Sequence, residues 1–123
     1  MINLLGVVFL DPLENPFDCV DRLLRQEELK SCRIKIVDFH AEATAEKRAL
    51  GFYLDGRVSA LFGTHTHVQT ADEQILPQGT GYLTDLGMTG EIQSVLGVRP
   101  GTGKSKKCAL ECLSALKTGT VPA

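Results

Sequence analysis

The sequence predicts an α/β fold built on a mainly parallel sheet, and two observations carry that prediction. Apolar runs rich in β-branched residues alternate with segments of helical periodicity in the order strand, helix, strand, helix, strand. The opening run, Ile2 to Phe9, is continuously apolar rather than alternating, as expected for a strand covered on both faces. Such alternation implies right-handed crossovers, with binding groups gathered beyond the C-terminal ends of the strands.

Taken in order, the first strand is closed by Asp11 and Pro12. Asn15 then caps a helix, Pro16 takes its first position, and Asp18 lies where the helix dipole favours an acid. Phe17, Val20 and Leu24 recur at helical spacing, and the helix is expected to run to about Lys30. Arg33 to Phe39 reads as the second strand, Glu42 to Leu54 as the second helix, ending at Gly56, and Val58 to Phe62 as the third strand. Gln74 to Leu76 and Gly81 to Thr84 read as short strands of a hairpin around Pro77, Gln78 and Gly79. Leu86 to Gly103 is glycine-rich and irregular, Lys104 to Lys117 reads as a helix, and a frayed tail follows from Thr118.

A chain of 123 residues suits one core, and 43% apolar with 23% charged residues is ordinary for a globular domain. The formal net charge of -2 supplies no basic field for a phosphate backbone, which argues against a nucleic-acid-binding role and leaves small substrates open. The first ten residues lack a basic segment and a cleavage site, and no apolar run approaches the ~20 residues of a membrane helix, so a cytoplasmic protein is expected. Cys19, Cys32, Cys108 and Cys112 show no C-x-x-C spacing and are expected as reduced thiols. Cys108 and Cys112, four apart on the last helix, are read as packed core thiols rather than as a metal pair.

The chemistry concentrates in the three histidines. His40 follows the second strand, and His65 and His67 follow the third after Gly63 and Thr64. In an extended segment residues two apart point the same way, so His65 and His67 are expected to aim into one cavity, with His40 at the same sheet edge. Imidazole binds zinc, iron, manganese or nickel, and three such donors together make a metal site the sharper reading. The plainer one is solvated loop histidines, one of them capping a carbonyl. Asp38 and Glu42 flank His40 as groups able to orient a ring, or as a strand-end charge and a helix N-terminal acid.

Three motifs then appear in order: Val37-Asp38-Phe39-His40-Ala41-Glu42-Ala43-Thr44; Gly63-Thr64-His65-Thr66-His67-Val68-Gln69-Thr70-Ala71-Asp72-Glu73; and Thr84-Asp85-Leu86-Gly87-Met88-Thr89-Gly90. From about Ile2 to Gly97 the chain resembles the C-terminal motifs of the bacterial YmdB-type phosphodiesterases, which belong to the calcineurin-like metallophosphoesterases. The resemblance implies residues 1–97 as the C-terminal half of such a domain, and so half of a four-layer α/β/β/α sandwich, with 98–123 divergent. It implies a two-metal site acting on phosphodiesters, 2′,3′-cyclic nucleotides being characteristic substrates. His40 and His65 would share one metal and His67 would bind the other, with iron or manganese ahead of zinc.

The family's Gly-Asp strand end, its bridging Asn or Glu-Asn element and its Gly-Asn-His motif with the proton donor are all missing from this sequence. Chemistry of this kind uses two cations ~3.5 to 4 Å apart to activate water and stabilise transition-state charge. Carboxylates are needed to hold them. The expectation is therefore a chain nearly inactive alone, with no catalytic proton donor of its own, partnered by a complementary N-terminal half or by itself through an exposed apolar face whose expected edge is Ile2 to Phe9. Two alternatives stand beside this. One is a non-catalytic metal-binding or oligomerising remnant. The other is a nucleotide-binding module at Gly97 to Ser105, where the P-loop spacing fails because Val98 stands five before Gly103.

Overall fold

The computed structural model of the chain describes residues 1–10, 14–101 and 107. It divides into two compact units, Met1–Met88 and Thr89–Ala123. In the first, β1 (Ile2–Leu5), β2 (Ile36–His40), β3 (Ala60–Thr64), β4 (Gln74–Ile75) and β5 (Gly81–Leu83) form a five-stranded sheet in the order β1-β2-β3-β5-β4. All pairings are parallel except β4 with β5, which is the antiparallel hairpin expected around Pro77 to Gly79. Among the described residues of this unit the helices are α1 (Pro16–Leu24), α2 (Glu27–Ser31) and α3 (Thr44–Tyr53). The fold is thus α/β, with a mostly parallel sheet and flanking helices.

Local chemistry explains where these elements start and stop. The Asn15 side chain accepts from the Phe17 amide at 2.9 Å, and Pro16 opens α1, as the capping signature requires. The long helix expected to reach Lys30 instead breaks after Leu24, because Gln26 is extended and caps a separate α2. β1 ends at Leu5 rather than Phe9. The carboxylate of Glu46, on the first turn of α3, accepts the amides of Val7 and Val8 at 2.9 and 3.4 Å and turns the chain away from the sheet. Gly6 permits that approach, since a Cβ there would lie 2.5 Å from Glu46 Oε2.

Register sorts the strand residues into two faces. Ile2, Val37, Leu61 and Tyr82 pair across four strands as one row, and Leu4, Phe39 and Gly63 make the next. These rows are buried with Val20, Leu50 and Leu54 from the helices and make up the core. At Gly63 a Cβ would fall 1.9 Å from the Thr84 carbonyl oxygen, so only glycine lets β3 approach the end of β5. The other face holds the rows Ile36, Ala60, Gly81; Asn3, Asp38, Phe62, Leu83; and Leu5, His40, Thr64. It carries no helix among the described residues, and Asn3 is exposed, so β1 is covered on one side where its continuous apolar run predicted two. Ala60, Phe62, Ile75, Leu83 and Leu86 line a shallow apolar concavity of about 440 Å³ at the β4 side of the sheet.

In the second unit, Val95 and Val98 exchange backbone hydrogen bonds of 2.7 and 2.9 Å around Leu96 and Gly97, both at positive φ, which makes a tight hairpin turn. Cys19 and Cys32 are free thiols. Cys108, Cys112, residues 102–105 of the alternative nucleotide-binding segment, and all of the expected last helix except Lys107 lie outside the described residues. No described helix is long and apolar enough to cross a membrane.

Candidate metal centre

His40 is the last residue of β2 and sits on the open face beside its register partner Thr64. The Thr64 hydroxyl donates to Asp38 Oδ1 at 3.2 Å and meets His40 Nδ1 at 3.1 Å. A hydroxyl has one hydrogen, and here Asp38 takes it. His40 Nδ1 must then carry the proton that points at Thr64, which leaves the lone pair on Nε2. Asp38 is itself held from the other side by Asn3 Nδ2 at 2.9 Å.

His65 lies one residue beyond β3. Its Nε2 is 2.9 Å from Glu42 Oε2, a contact that a ring N–H satisfies. With the proton on Nε2, the Nδ1 of a neutral His65 carries a lone pair, and that nitrogen is 3.1 Å from His40 Nε2. The two rings meet edge to face, with centroids 4.9 Å apart. Two nitrogen lone pairs therefore oppose each other at hydrogen-bond distance, and only something electropositive between them, a proton or a metal cation, makes the contact favourable. Each ring is oriented by a carboxylate, through Thr64 for His40 and directly for His65, as in the outer shells of metal sites. The donor set thus fits a cation at His40 and His65.

His67 is placed differently. The expectation that it follows His65 into one cavity assumed an extended segment, but β3 ends at Thr64, and His65 and His67 have φ of 119° and 65°. Positive φ at non-glycine residues breaks the two-residue alternation and costs on the order of 1–3 kcal/mol where the conformation is sparsely populated. The His67 side chain is exposed, and its carbonyl accepts from the Met88 amide at 3.2 Å. Among the described residues no group of three or more His, Cys, Asp or Glu side chains is placed to hold a metal ion.

The loop that carries His65 and His67 is gripped from beneath. Asp85 Oδ2 accepts the Thr66 amide at 3.0 Å and the Lys47 ammonium at 2.9 Å, and Oδ1 accepts the Gly87 amide at 2.8 Å. Burial pushes the Asp85 carboxyl up, but Lys47 and the two amides outweigh it and leave the group below the usual carboxylate range. Farther along, Asp72 accepts from the hydroxyls of Thr70 and Thr84 and from the Thr84 amide. Burial raises the Asp72 carboxyl too, and those hydrogen bonds bring it below its ordinary value. Sequence reasoning missed Thr64, Lys47 and Asp85. A signal existed for Lys47, which stands three and seven residues before Leu50 and Leu54 on the buried side of α3, where a lysine requires a buried partner.

Comparison with known proteins gives the family. The family model described as YmdB-like protein matches residues 1–112. A Bacillus subtilis (strain 168) protein named 2′,3′-cyclic-nucleotide 2′-phosphodiesterase is 56% identical over 98 residues, covering 80% of this chain and 37% of that protein. The crystal structure of a hypothetical protein from Thermus thermophilus superposes with a TM-score of 0.74 at 44% identity, over 98% of this chain and 43% of that one. That of a novel phosphatase from Mycoplasma pneumoniae gives 0.72 at 44% identity, over 87% of this chain and 38% of that one. This chain therefore spans roughly two-fifths of the length of the relatives it matches, and it belongs to the YmdB-like protein family.

Proposed function

We propose that this chain supplies the histidine side of a metal-dependent phosphodiester-hydrolysing centre, with 2′,3′-cyclic nucleotides as the substrate class. The observation that carries this reading is the opposed pair His40 Nε2 and His65 Nδ1 at 3.1 Å, each ring oriented by a carboxylate. The name of the B. subtilis relative supports the substrate class. His40 and His65 hold one divalent cation, iron or manganese ahead of zinc. His67, exposed just beyond the same strand end, is offered to a second.

The bound cations would activate water and stabilise the charge that develops on the phosphoryl group. The chain's own part is to present neutral imidazoles in a set tautomer. Asp38 and Thr64 fix the proton of His40 on Nδ1, and Glu42 fixes that of His65 on Nε2, so the two lone pairs are turned toward one another. Imidazoles alone balance little of the charge of two dications, so bridging carboxylates and the proton donor come from a complementary segment. That segment covers the open face and completes the four-layer α/β/β/α sandwich.

The test is an assay of the 123-residue chain with manganese or iron against a 2′,3′-cyclic nucleotide, alone and after addition of a segment bearing Gly-Asp and Gly-Asn-His motifs. Near-inactivity alone and metal-dependent cleavage after addition are expected, the absent general acid by itself accounting for about 10² to 10⁴ in rate. His67→Ala should abolish the restored activity. Full turnover by the chain alone would show the account of the missing carboxylates to be wrong.

A further inference from the structure

We propose that the buried Lys47–Asp85 pair is a positioning device for His65: it holds the Thr66 amide and so keeps the His65 backbone in the strained conformation from which its ring meets His40. Both side chains are completely buried, with Nζ 2.9 Å from Oδ2. The same Oδ2 accepts the Thr66 amide at 3.0 Å. On the far side of the histidines, the Asp85 carbonyl accepts the Thr70 amide at 3.1 Å and the Asp85 amide donates to the Thr70 hydroxyl at 3.0 Å. One residue thus grips the loop at 66 and again at 70. His65 and His67, both at positive φ, lie respectively beside the first of those points and between the two.

Lysine reaches this place only over Gly63, where a Cβ would stand 2.8 Å from Lys47 Cδ. The residue near the end of the third strand that lacks a side chain is therefore also the one that lets α3 insert its ammonium under the loop. Stability alone gives little reason for such a pair, because apolar replacements of buried ion pairs are often neutral or stabilising. An apolar pair would fill the space and leave the Thr66 and Gly87 amides without their acceptor. Strained backbone persists where surrounding contacts over-determine it, and these contacts over-determine residue 65.

The meaning of this device for metal binding rests on the reading of His40 and His65 as ligands; the position of His65 does not. The experiment is therefore done first on the whole chain without metal. The variants are Asp85→Asn and the double variant Lys47→Met with Asp85→Leu, which removes both charges and keeps an apolar filling. Folding is checked by circular dichroism and by the amide spectrum. Three readouts follow: exchange of the Thr66 amide, the HN–Hα coupling constant of His65, which is small at a φ of 119° and large in extended backbone, and the ring-to-ring nuclear Overhauser effect between His40 and His65.

The expected result is a folded protein whose Thr66 amide exchanges about tenfold faster or more, whose His65 coupling rises, and whose ring contact is lost. A folded variant that keeps the small coupling and the ring contact overturns the proposal, since a merely structural pair would leave both in place. If neither variant folds, the unaltered chain decides. Its Thr66 amide must exchange as slowly as those of the central strands, and exchange as fast as at exposed Val68 overturns the proposal. Manganese is then titrated alone: failure of the unaltered chain to bind it would sink the metal reading and leave the positioning of His65 standing.

Discussion

The Thr64 hydroxyl has one hydrogen and two partners, and that arithmetic sets the state of the histidine pair. Giving the hydrogen to Asp38 commits His40 to the Nδ1–H tautomer and turns the Nε2 lone pair toward His65. Thr64→Val keeps the volume of the side chain and removes the hydroxyl. The fold should survive with a loss of about 1 kcal/mol, the scale of one hydrogen bond in a half-buried place. Manganese affinity should fall about 10- to 100-fold, as when outer-shell partners of ligating histidines are removed. Calorimetric titration beside urea unfolding separates the two effects, and equal affinity in the variant would remove Thr64 from the site.

At the scale of elements, the loop between β3 and β4 is tied down by two carboxylates rather than by apolar contacts. Asp72 and Asp85 both ionise more readily in the folded chain than at their ordinary value of 3.8. A folded-state pKa below the unfolded one adds stability that is fully present above the unfolded pKa and is lost as pH falls through the folded one. Stability should therefore hold from neutral pH down to about 4 and decline below it. The loop should feel this first. Amide signals of Thr66 and Thr84, which donate to these carboxylates, should shift at a higher pH than those of buried Val37 and Leu61. Simultaneous loss of all four would mean that the loop has no separate titration.

At the largest scale, the telling feature is the sheet of Met1–Met88, packed by helices on one face and carrying no helix on the other among the described residues. The row Asn3, Asp38, Phe62, Leu83 runs from polar to apolar across that face, and Ile75 and Leu86 at the β4 side are 75% and 45% exposed. Apolar surface of this kind on a sheet marks an interface. The chain alone should self-associate at micromolar concentration or pair with a complementary segment, with β1, the edge strand nearest His40, as a further route of pairing. Phe62→Lys should shift sedimentation toward the monomer and weaken capture of a complementary segment. A stable, soluble monomer of the unaltered chain at those concentrations would count against any such partner.

Periodicity and capping were enough to read β1, β2, β3 and the β4–β5 hairpin, the start of α1 at Asn15 and Pro16, and the placing of His40 and His65 at one end of a parallel sheet. Each of those features follows from residues within a turn or a strand, or from the alternation of strands and helices that makes neighbouring strands parallel. The early end of β1, the direction of His67 and the grip of Lys47 and Asp85 on the histidine loop were decided only in three dimensions. Val7 meets Glu46 across 39 positions, Thr66 meets Asp85 across 19, and Lys47 meets Asp85 across 38. The strand pattern stops carrying information where the strand stops. Beyond Thr64 the backbone follows hydrogen bonds to distant carboxylates, and the side-chain directions of His65 and His67 follow the backbone.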